Sequence, residues 1–206
     1  PNEGLTFPKN KDGTWLHNDA LSGSGWIEAN AWQATWSVSH DIAGLATLMG
    51  GNDKLCEKLN FAFENAESTD FVYGYGAGYV SYANQPGCSN AHVFNAAGQP
   101  WLSQYWVRKV NEQAYGGTTP DKGYGGHDED QGQMSAWFIM ASLGLFQTDG
   151  GCRVDVHLDR RIGGSALHVA TVRGEHGRVD RAGRNSRQDL GLEIGEDAAD
   201  RAQEAD

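Results

Sequence analysis

The chain has 206 residues, a net charge of -11 and 39% hydrophobic residues, which is enough chain to bury one sizeable core. The negative charge would repel polyphosphates, so we expect no nucleic acid partner. No stretch approaches the roughly 18 apolar residues of a membrane span and the first residues do not resemble a signal peptide, so we also expect no membrane segment.

The composition divides the chain into two unlike segments. All seven Phe, seven Trp and seven Tyr residues lie between Phe7 and Phe146, and every basic residue after Cys152 is an arginine. A segment without aromatic side chains lacks the groups that usually build a core. We therefore predict a folded domain over residues 1–151 and an atypical tail over residues 152–206, either disordered or translated out of frame.

Helical patterns begin after a polar, glycine-rich loop over residues 1–25. Residues 28–49 predict one helix that ends at Gly50, because its apolar side chains recur at helical spacing: Trp32, Trp36, Ile42, Leu45 and Leu48. A second helix is predicted directly afterwards, with Asn52 as its N-cap, Asp53 in its first turn and apolar residues four apart: Leu55, Leu59 and Phe63.

The rest of the first 150 residues alternates between loops and helices. Residues 68–90 contain glycine and tyrosine without a sustained period, which predicts a long loop. Long loops inside compact domains are often functional. Helical patterns return at residues 90–97, 101–114 and 130–144, and no alternating strand pattern precedes residue 150. These patterns predict an all-α fold of antiparallel helical hairpins, as in a bundle, a solenoid or an α/α toroid.

Three consecutive acids precede the last predicted helix, in Gly125-Gly-His-Asp-Glu-Asp-Gln-Gly-Gln-Met-Ser135. Asp128 and Asp130 would lie at a helix N-terminus, where the helix dipole stabilises an ionised carboxylate. Helix capping alone can explain such a cluster. A calcium loop of the EF-hand type does not fit, because Ile139 stands where that loop requires a glutamate.

A second acid, Glu28, stands between two tryptophans in Trp26-Ile-Glu-Ala-Asn-Ala-Trp32. A carboxyl beside these rings would be partly desolvated, as a proton donor requires, although an acid in a first helical turn often only complements the dipole. Trp32 and Trp36, one turn apart, are either a platform for sugar rings or core residues. His40 is either a catalytic residue or a structural one.

Five strings occur in the order and approximate spacing of one known family: Glu28-Ala-Asn-Ala-Trp-Gln33, Ser39-His-Asp41, Asn84-Gln-Pro86, Ala96-Ala-Gly-Gln-Pro-Trp101 and Asp128-Glu-Asp-Gln-Gly-Gln-Met-Ser-Ala-Trp137. The chain therefore resembles glycoside hydrolase family 92, whose members are calcium-dependent, inverting exo-α-mannosidases. The resemblance runs from about Leu16 to Gly151, and its last string is highly specific.

The resemblance implies a partial six-hairpin α/α toroid with an irregular C-terminal tail. It also implies a parent enzyme with an N-terminal β-sandwich domain that is missing here. The substrate would be a mannose-containing glycan, cleaved by an α-1,2-mannosidase-like activity that is impaired in a fragment. The family resemblance implies a secreted or extracytoplasmic location.

Roles follow for individual residues. Glu28 matches the general acid of the family, and Asp128 and Asp130 match the pair that holds and deprotonates the attacking water. The candidate substrate-binding residues are Trp32, Trp36 and His40. The resemblance implies a Ca2+ cofactor held in part by Asn84 and Gln85. Gln85 stands where the family has glutamate, which removes one negative charge from that site.

Two alternatives stay open. The first is a non-catalytic carbohydrate-binding remnant, in which aromatic side chains stack on sugars but no bond is cleaved. The second is a helical-toroid glycosidase of another specificity, such as a trehalase-like enzyme, which shares the use of paired carboxylates. That second alternative gives no reason for the string Asn84-Gln-Pro86.

Overall fold

The computed structural model describes residues 4–17, 19–69, 71–74, 76–83, 85–115, 119, 131–146 and 155–156, which all belong to one compact unit. Within these ranges lie six α-helices: α1 (Ala31–Ala34), α2 (Ile42–Met49), α3 (Asn52–Ala66), α4 (Val93–Ala96), α5 (Pro100–Gln113) and α6 (Gln133–Ser142). They also contain four 3-10 helices, Ser39–Asp41, Glu67–Thr69, Gln85–Gly87 and Asn90–His92, and two short strands, β1 (Leu145–Phe146) and β2 (Asp155–Val156). The predicted all-α class is confirmed.

Helix α3 follows the predicted pattern closely. Leu55, Leu59 and Phe63 are each fully buried on one helix face, and Asp53 lies in the first turn, where it complements the positive end of the helix dipole. The helix starts at Asn52 itself and Gly51 is the N-cap residue, so the predicted cap is wrong by one position. Gly51 has a φ of 117°, which brings the chain around and lets Asn52 enter the helix.

The core centres on the aromatic side chains between α3 and α5. Phe63 stacks on Trp106 with ring centroids 5.1 Å apart and lies within 6.0 Å of both Phe71 and Phe94. The indole nitrogen of Trp106 donates a hydrogen bond of 2.8 Å to the Oδ1 atom of Asn60, which joins the two helices. This cluster fixes α3, whose opposite surface forms part of the groove described below.

The single helix predicted over residues 28–49 is wrong, because this segment forms α1, a 3-10 turn and α2 in succession. Asn30 and Asp41 each use a side-chain oxygen to accept a backbone N–H, from Gln33 and Gly44 respectively, so that each begins a new helix. The hydroxyl of Thr35 donates to the carbonyl of Ala31 at 2.6 Å. Such side-chain bonds compete with a continuous helix.

The absence of an alternating strand pattern before residue 150 agrees with the structure, whose described residues contain two strands of two residues each. Leu145 and Phe146 of β1 pair antiparallel with Val156 and Asp155 of β2. Two residues are too few to produce a recognisable alternation, and the position of β1 is instead set by Phe146, whose ring stacks on His92 at 3.7 Å. In the described ranges, no helix has the length and apolar character needed to cross a bilayer.

Candidate functional site

Glu28 lies in a turn, which we call the Glu28 turn (residues 23–29), directly before α1. The backbone N–H of Trp26 donates to the carbonyl of Gly23 at 3.1 Å. Glu28 has a φ of 54°, in the left-handed region that residues with a Cβ atom rarely occupy. Strained residues of this kind concentrate at functional sites.

The predicted desolvation of Glu28 between two tryptophans is wrong. Glu28 is exposed, and its neighbour Ile27 is 90% exposed, so the turn projects into solvent. The Trp32 ring instead packs against Phe61 and Tyr79, at centroid distances of 5.6 and 5.1 Å. The sequence pattern places Glu28 in the first turn of a helix beside the two tryptophans. Its left-handed backbone conformation instead puts Glu28 in a turn before α1.

Two buried amide side chains attach α1 to a backbone segment that we call the glycine segment (residues 76–79). The Nδ2 atom of Asn30 donates to the carbonyls of Gly76 and Gly78, at 3.2 and 2.8 Å. The Nε2 atom of Gln33 donates to the carbonyl of Ala77 and, at 3.2 Å, to that of Gly78. We call Asn30 and Gln33 the amide pair; they are 0% and 2% exposed.

A direct backbone contact supports the same attachment. A Cβ atom added to Gly76 would lie 3.0 Å from the Cα atom of Gly23 and 3.0 Å from the carbonyl oxygen of Ala29. Gly76 also has a φ of 73°, which favours glycine. The Glu28 turn and the glycine segment therefore lie close enough that a side chain at position 76 would have to displace one of them.

A groove of about 870 Å³ lies beside this region. Three mutually packed rings line it, namely Trp32, Phe61 and Tyr79. Charged side chains also line it: Asp19, Lys54, Glu57, Lys58 and Glu64. Phe61 is 45% exposed, so part of its ring is accessible to solvent in the groove. Glu28 does not line this groove, so the groove and the predicted acid occupy different places.

The other predicted substrate-binding residues differ in their surroundings. Trp36 is fully buried in the core, which favours the core interpretation that the sequence left open. His40 is exposed in the 3-10 turn Ser39–Asp41, directly before α2. The described structure brings Trp32, but neither Trp36 nor His40, to the lining of the groove.

The remaining predicted site residues are only partly described. Asp128, Asp130 and Asn84 lie outside the described residues, so their distances from Glu28 stay untested. Gln85 is exposed at the start of the 3-10 helix Gln85–Gly87. Within the described ranges, no group of three or more His, Cys, Asp or Glu side chains is placed to hold a metal ion.

Several residues that form this region are not among those predicted from the sequence. Asn30 and Gln33 belong to a quoted string, and a capping-type residue followed three positions later by glutamine was a signal that a helix starts there. Phe61 and Tyr79 join Trp32 from α3 and from the glycine segment. No local pattern brings these three rings together, because their contact depends on tertiary packing.

A mostly helical domain that presents a carboxylate on a turn directly before its first described helix is consistent with the helical glycoside hydrolases. The family model described as the glycosyl hydrolase family 92 catalytic domain matches residues 1–156. The chain therefore belongs to glycoside hydrolase family 92.

Similar proteins match about seven tenths of the chain. An uncharacterized secreted glycosidase of Arthroderma benhamiae is 25% identical over 160 residues, which cover 71% of this chain and 19% of that relative. A family GH92 α-mannosidase from Bacteroides thetaiotaomicron, solved with mannoimidazole, has 25% identity and a TM-score of 0.56 over 70% of this chain and 20% of its own. The inverting mannosidase of family GH92 from Bacteroides thetaiotaomicron VPI-5482 has 29% identity and a TM-score of 0.54, over 70% and 21%. The chain thus spans about a fifth of the length of these relatives.

Proposed function

We propose that this chain takes part in removing terminal α-linked mannose from glycans, with Glu28 as the general acid. The observation that carries the proposal is the exposed, left-handed Glu28 next to the amide pair, in a chain of family 92. The two mannosidases among the similar structures support mannose as the sugar. An α-1,2 linkage is the finer form of the same proposal.

The chemistry assigns opposite tasks to two carboxyl groups. Protonated Glu28 donates its proton to the glycosidic oxygen, so that the alcohol leaves as the bond to the anomeric carbon breaks. Asp128 and Asp130 hold a water molecule on the opposite face, and one of them accepts its proton as the hydroxyl group adds to that carbon. Inverting enzymes separate such groups by about 6.5–9.5 Å to leave room for the water.

The proposal extends to the whole enzyme. The helices would form part of a six-hairpin α/α toroid, completed by further helices and an N-terminal β-sandwich domain outside this chain. The name of the fungal relative supports secretion. Misplacement of a catalytic group by about 1 Å can reduce a rate on the order of a hundredfold, so we expect little or no turnover by the chain alone.

Calcium is the proposed cofactor, with Asn84 and Gln85 as two of its ligands. Calcium prefers oxygen donors and accepts amide carbonyls, and the exposed amide of Gln85 is compatible with that chemistry. The amide is neutral, so we expect weaker binding than a glutamate would give. When bound, calcium would orient neighbouring sugar hydroxyls, while proton transfer stays with the carboxyl groups.

Hydrolysis of an aryl α-mannoside at high protein concentration tests this function. We expect slow release of the sugar as its β-anomer, reduced in Glu28→Gln and reduced by a chelator; the loss in Glu28→Gln is smaller for aryl groups that leave readily. Glu112→Gln makes the same chemical change at an exposed side chain of α5 and is a comparison outside the proposed site. Release of the α-anomer, a rate unaffected by Glu28→Gln, or vigorous hydrolysis that ignores the chelator would contradict the proposal.

A second candidate function, carbohydrate binding without cleavage, is favoured by the groove. The three packed rings offer an aromatic surface of the kind on which sugars stack, and the carboxylates around them can accept hydrogen bonds from hydroxyl groups. Calorimetric titration with mannose and mannan tests it. Binding that is lost in Phe61→Ala, retained in Glu28→Gln and unaccompanied by turnover would favour this candidate over the enzyme.

A further inference from the structure

We propose that Asn30 and Gln33 are positioning residues, which direct the Glu28 carboxyl by fixing the Glu28 turn on the glycine segment. The inference rests on the proposed role of Glu28 as general acid. It goes beyond that role because it assigns a task to two amides and three backbone carbonyls that take no part in the chemical step.

The first part of the argument is the hydrogen bonding of Asn30. Its Oδ1 atom accepts the N–H of Gln33 at 3.1 Å and begins α1, while its Nδ2 atom donates to Gly76 and Gly78. One side chain therefore does two separable jobs. Asn30 lies two residues after Glu28 along the chain, and only its Nδ2 atom, the donor, reaches the glycine segment.

Gln33 strengthens the same attachment. Its Nε2 atom donates to Ala77 and Gly78, so the amide pair serves three successive carbonyls of the glycine segment. Both amides are buried, where hydrogen bonds are stronger than in water and an unpaired carbonyl is costly. The glycine segment is therefore tied to the start of α1 by two buried side chains that donate to its carbonyls.

The second part of the argument is the strain between the two ends of the turn. Gly23 and Ala29 both lie against Gly76, and Glu28 between them has a φ of 54°. A left-handed glutamate persists only where its surroundings determine it more strongly than its own preference. The backbone conformation at residue 28 sets the direction in which its Cα–Cβ bond leaves the turn.

Two substitutions keep side-chain size and remove the donors. Asn30→Asp retains the oxygen that accepts the Gln33 N–H but places a carboxylate oxygen near the glycine-segment carbonyls. Gln33→Glu makes the same change at the second amide. Asn65→Asp is the matched control, because Asn65 donates to a backbone carbonyl, that of Phe61 at 2.8 Å, on exposed α3 surface.

The effect of the amide pair on residue 28 can be measured without enzymatic activity, by combining each amide substitution with Glu28→Gly and comparing thermal midpoints. In the otherwise unchanged chain, glycine relieves the left-handed strain, and we expect the thermal midpoint to rise by about 2 °C. In the Asn30→Asp or Gln33→Glu background the Glu28 turn can relax, so Glu28→Gly should not raise the thermal midpoint further. In Asn65→Asp the gain should remain.

Two results would overturn the inference. One is a fall in midpoint for Glu28→Gly alone, because the strain would then not exist. The other is an equal gain in the Asn30→Asp, Gln33→Glu and Asn65→Asp backgrounds, because the amide pair would then not act on residue 28. If Asn30→Asp fails to fold, Gln33→Glu alone decides between coupling and its absence.

A kinetic comparison then tests the chemical consequence. A general acid matters most for a poor leaving group, so Asn30→Asp should lower kcat for methyl α-mannoside much more than for dinitrophenyl α-mannoside, with KM nearly unchanged. Glu28→Gln should give the same pattern. If Glu28→Gln does not show this dependence on the leaving group while the thermal coupling is present, the proposed function fails and the positioning of residue 28 stands. If the thermal coupling is absent, only the positioning inference is overturned.

Discussion

Cys56 illustrates how the folded environment changes a single side chain. It is 1% exposed on the buried face of α3, and burial, followed by the charge of Asp53, raises the pKa of its thiol from 9.0 to about 11. Because only the thiolate reacts, the fraction available at pH 8 falls about a hundredfold. We expect alkylation of Cys56 at pH 8 to be negligible in the native protein and rapid in urea, as read by mass spectrometry of its peptide; equal rates would contradict this.

The same shift makes a prediction about stability and pH. Below pH 9 the thiol is protonated in both states, whereas between pH 9 and about 11 the unfolded chain loses its proton first. The contribution of Cys56 is therefore present at low pH and is lost as pH rises through this range. The urea midpoint difference between the unsubstituted chain and Cys56→Ala should shrink between pH 8 and pH 10.5.

At the residue scale, the sequence could predict which side chains are candidates but not their surroundings. The string Glu28-Ala-Asn-Ala-Trp-Gln33 identifies Glu28 as a candidate acid, and the tryptophans nearby in the sequence predict that its carboxyl is partly desolvated. Its exposure follows instead from a left-handed φ at one position, for which a glutamate gives no local signal. The amide pair could be seen in the string, while its partners 76–78 lie more than forty residues away.

At the scale of elements, helix α3 gains its stability from one face. Leu59 is fully buried there, whereas Leu48 near the end of α2 is 86% exposed. We expect Leu59→Ala to lower the free energy of unfolding by about 2–5 kcal/mol and Leu48→Ala to change it by less than about 0.5 kcal/mol. Urea unfolding followed by circular dichroism compares this matched pair, and similar costs at both positions would show that the α3 face is not part of the core.

Element boundaries were predictable where glycine or proline sets them. Gly50 has a φ of 96° and its N–H bonds to the last carbonyls of α2, so the predicted end of that helix is confirmed. The sequence of residues 28–49 resembles one helix because Trp32, Trp36 and Ile42 are all buried, and buried residues from separate turns imitate one helical stripe. The decisive information was polar, in the capping side chains of Asn30 and Asp41.

At the scale of the whole molecule, membership of family 92 and the all-α class could be predicted because several strings with fixed order were present. The groove could not, because its walls come from the N-terminal loop, α1, α3 and the glycine segment. In the described residues the groove and Glu28 are separate features. The residue proposed as the acid and the aromatic surface therefore lie at different places in the described part of the chain.

The C-terminal limit of the folded unit is open to a direct test. The family model ends at residue 156, and β2 at Asp155–Val156 pairs with β1, whose Phe146 stacks on His92. Ending the chain after residue 156 keeps this pairing, whereas ending it after residue 151 leaves the polar backbone of β1 without its partner strand. We expect the first truncation to keep the thermal midpoint and the second to lower it.

The size of the effect follows from the lost hydrogen bonds. Each is worth on the order of 1 kcal/mol, and each kcal/mol shifts the midpoint of a chain this long by about 2–4 °C. Differential scanning calorimetry of the full chain and both truncations at equal concentration makes the comparison. Equal midpoints for the two truncations would show that β2 adds nothing, and a large loss on removing residues 157–206 would show that the arginine-rich tail, despite its lack of aromatic side chains, belongs to the folded unit.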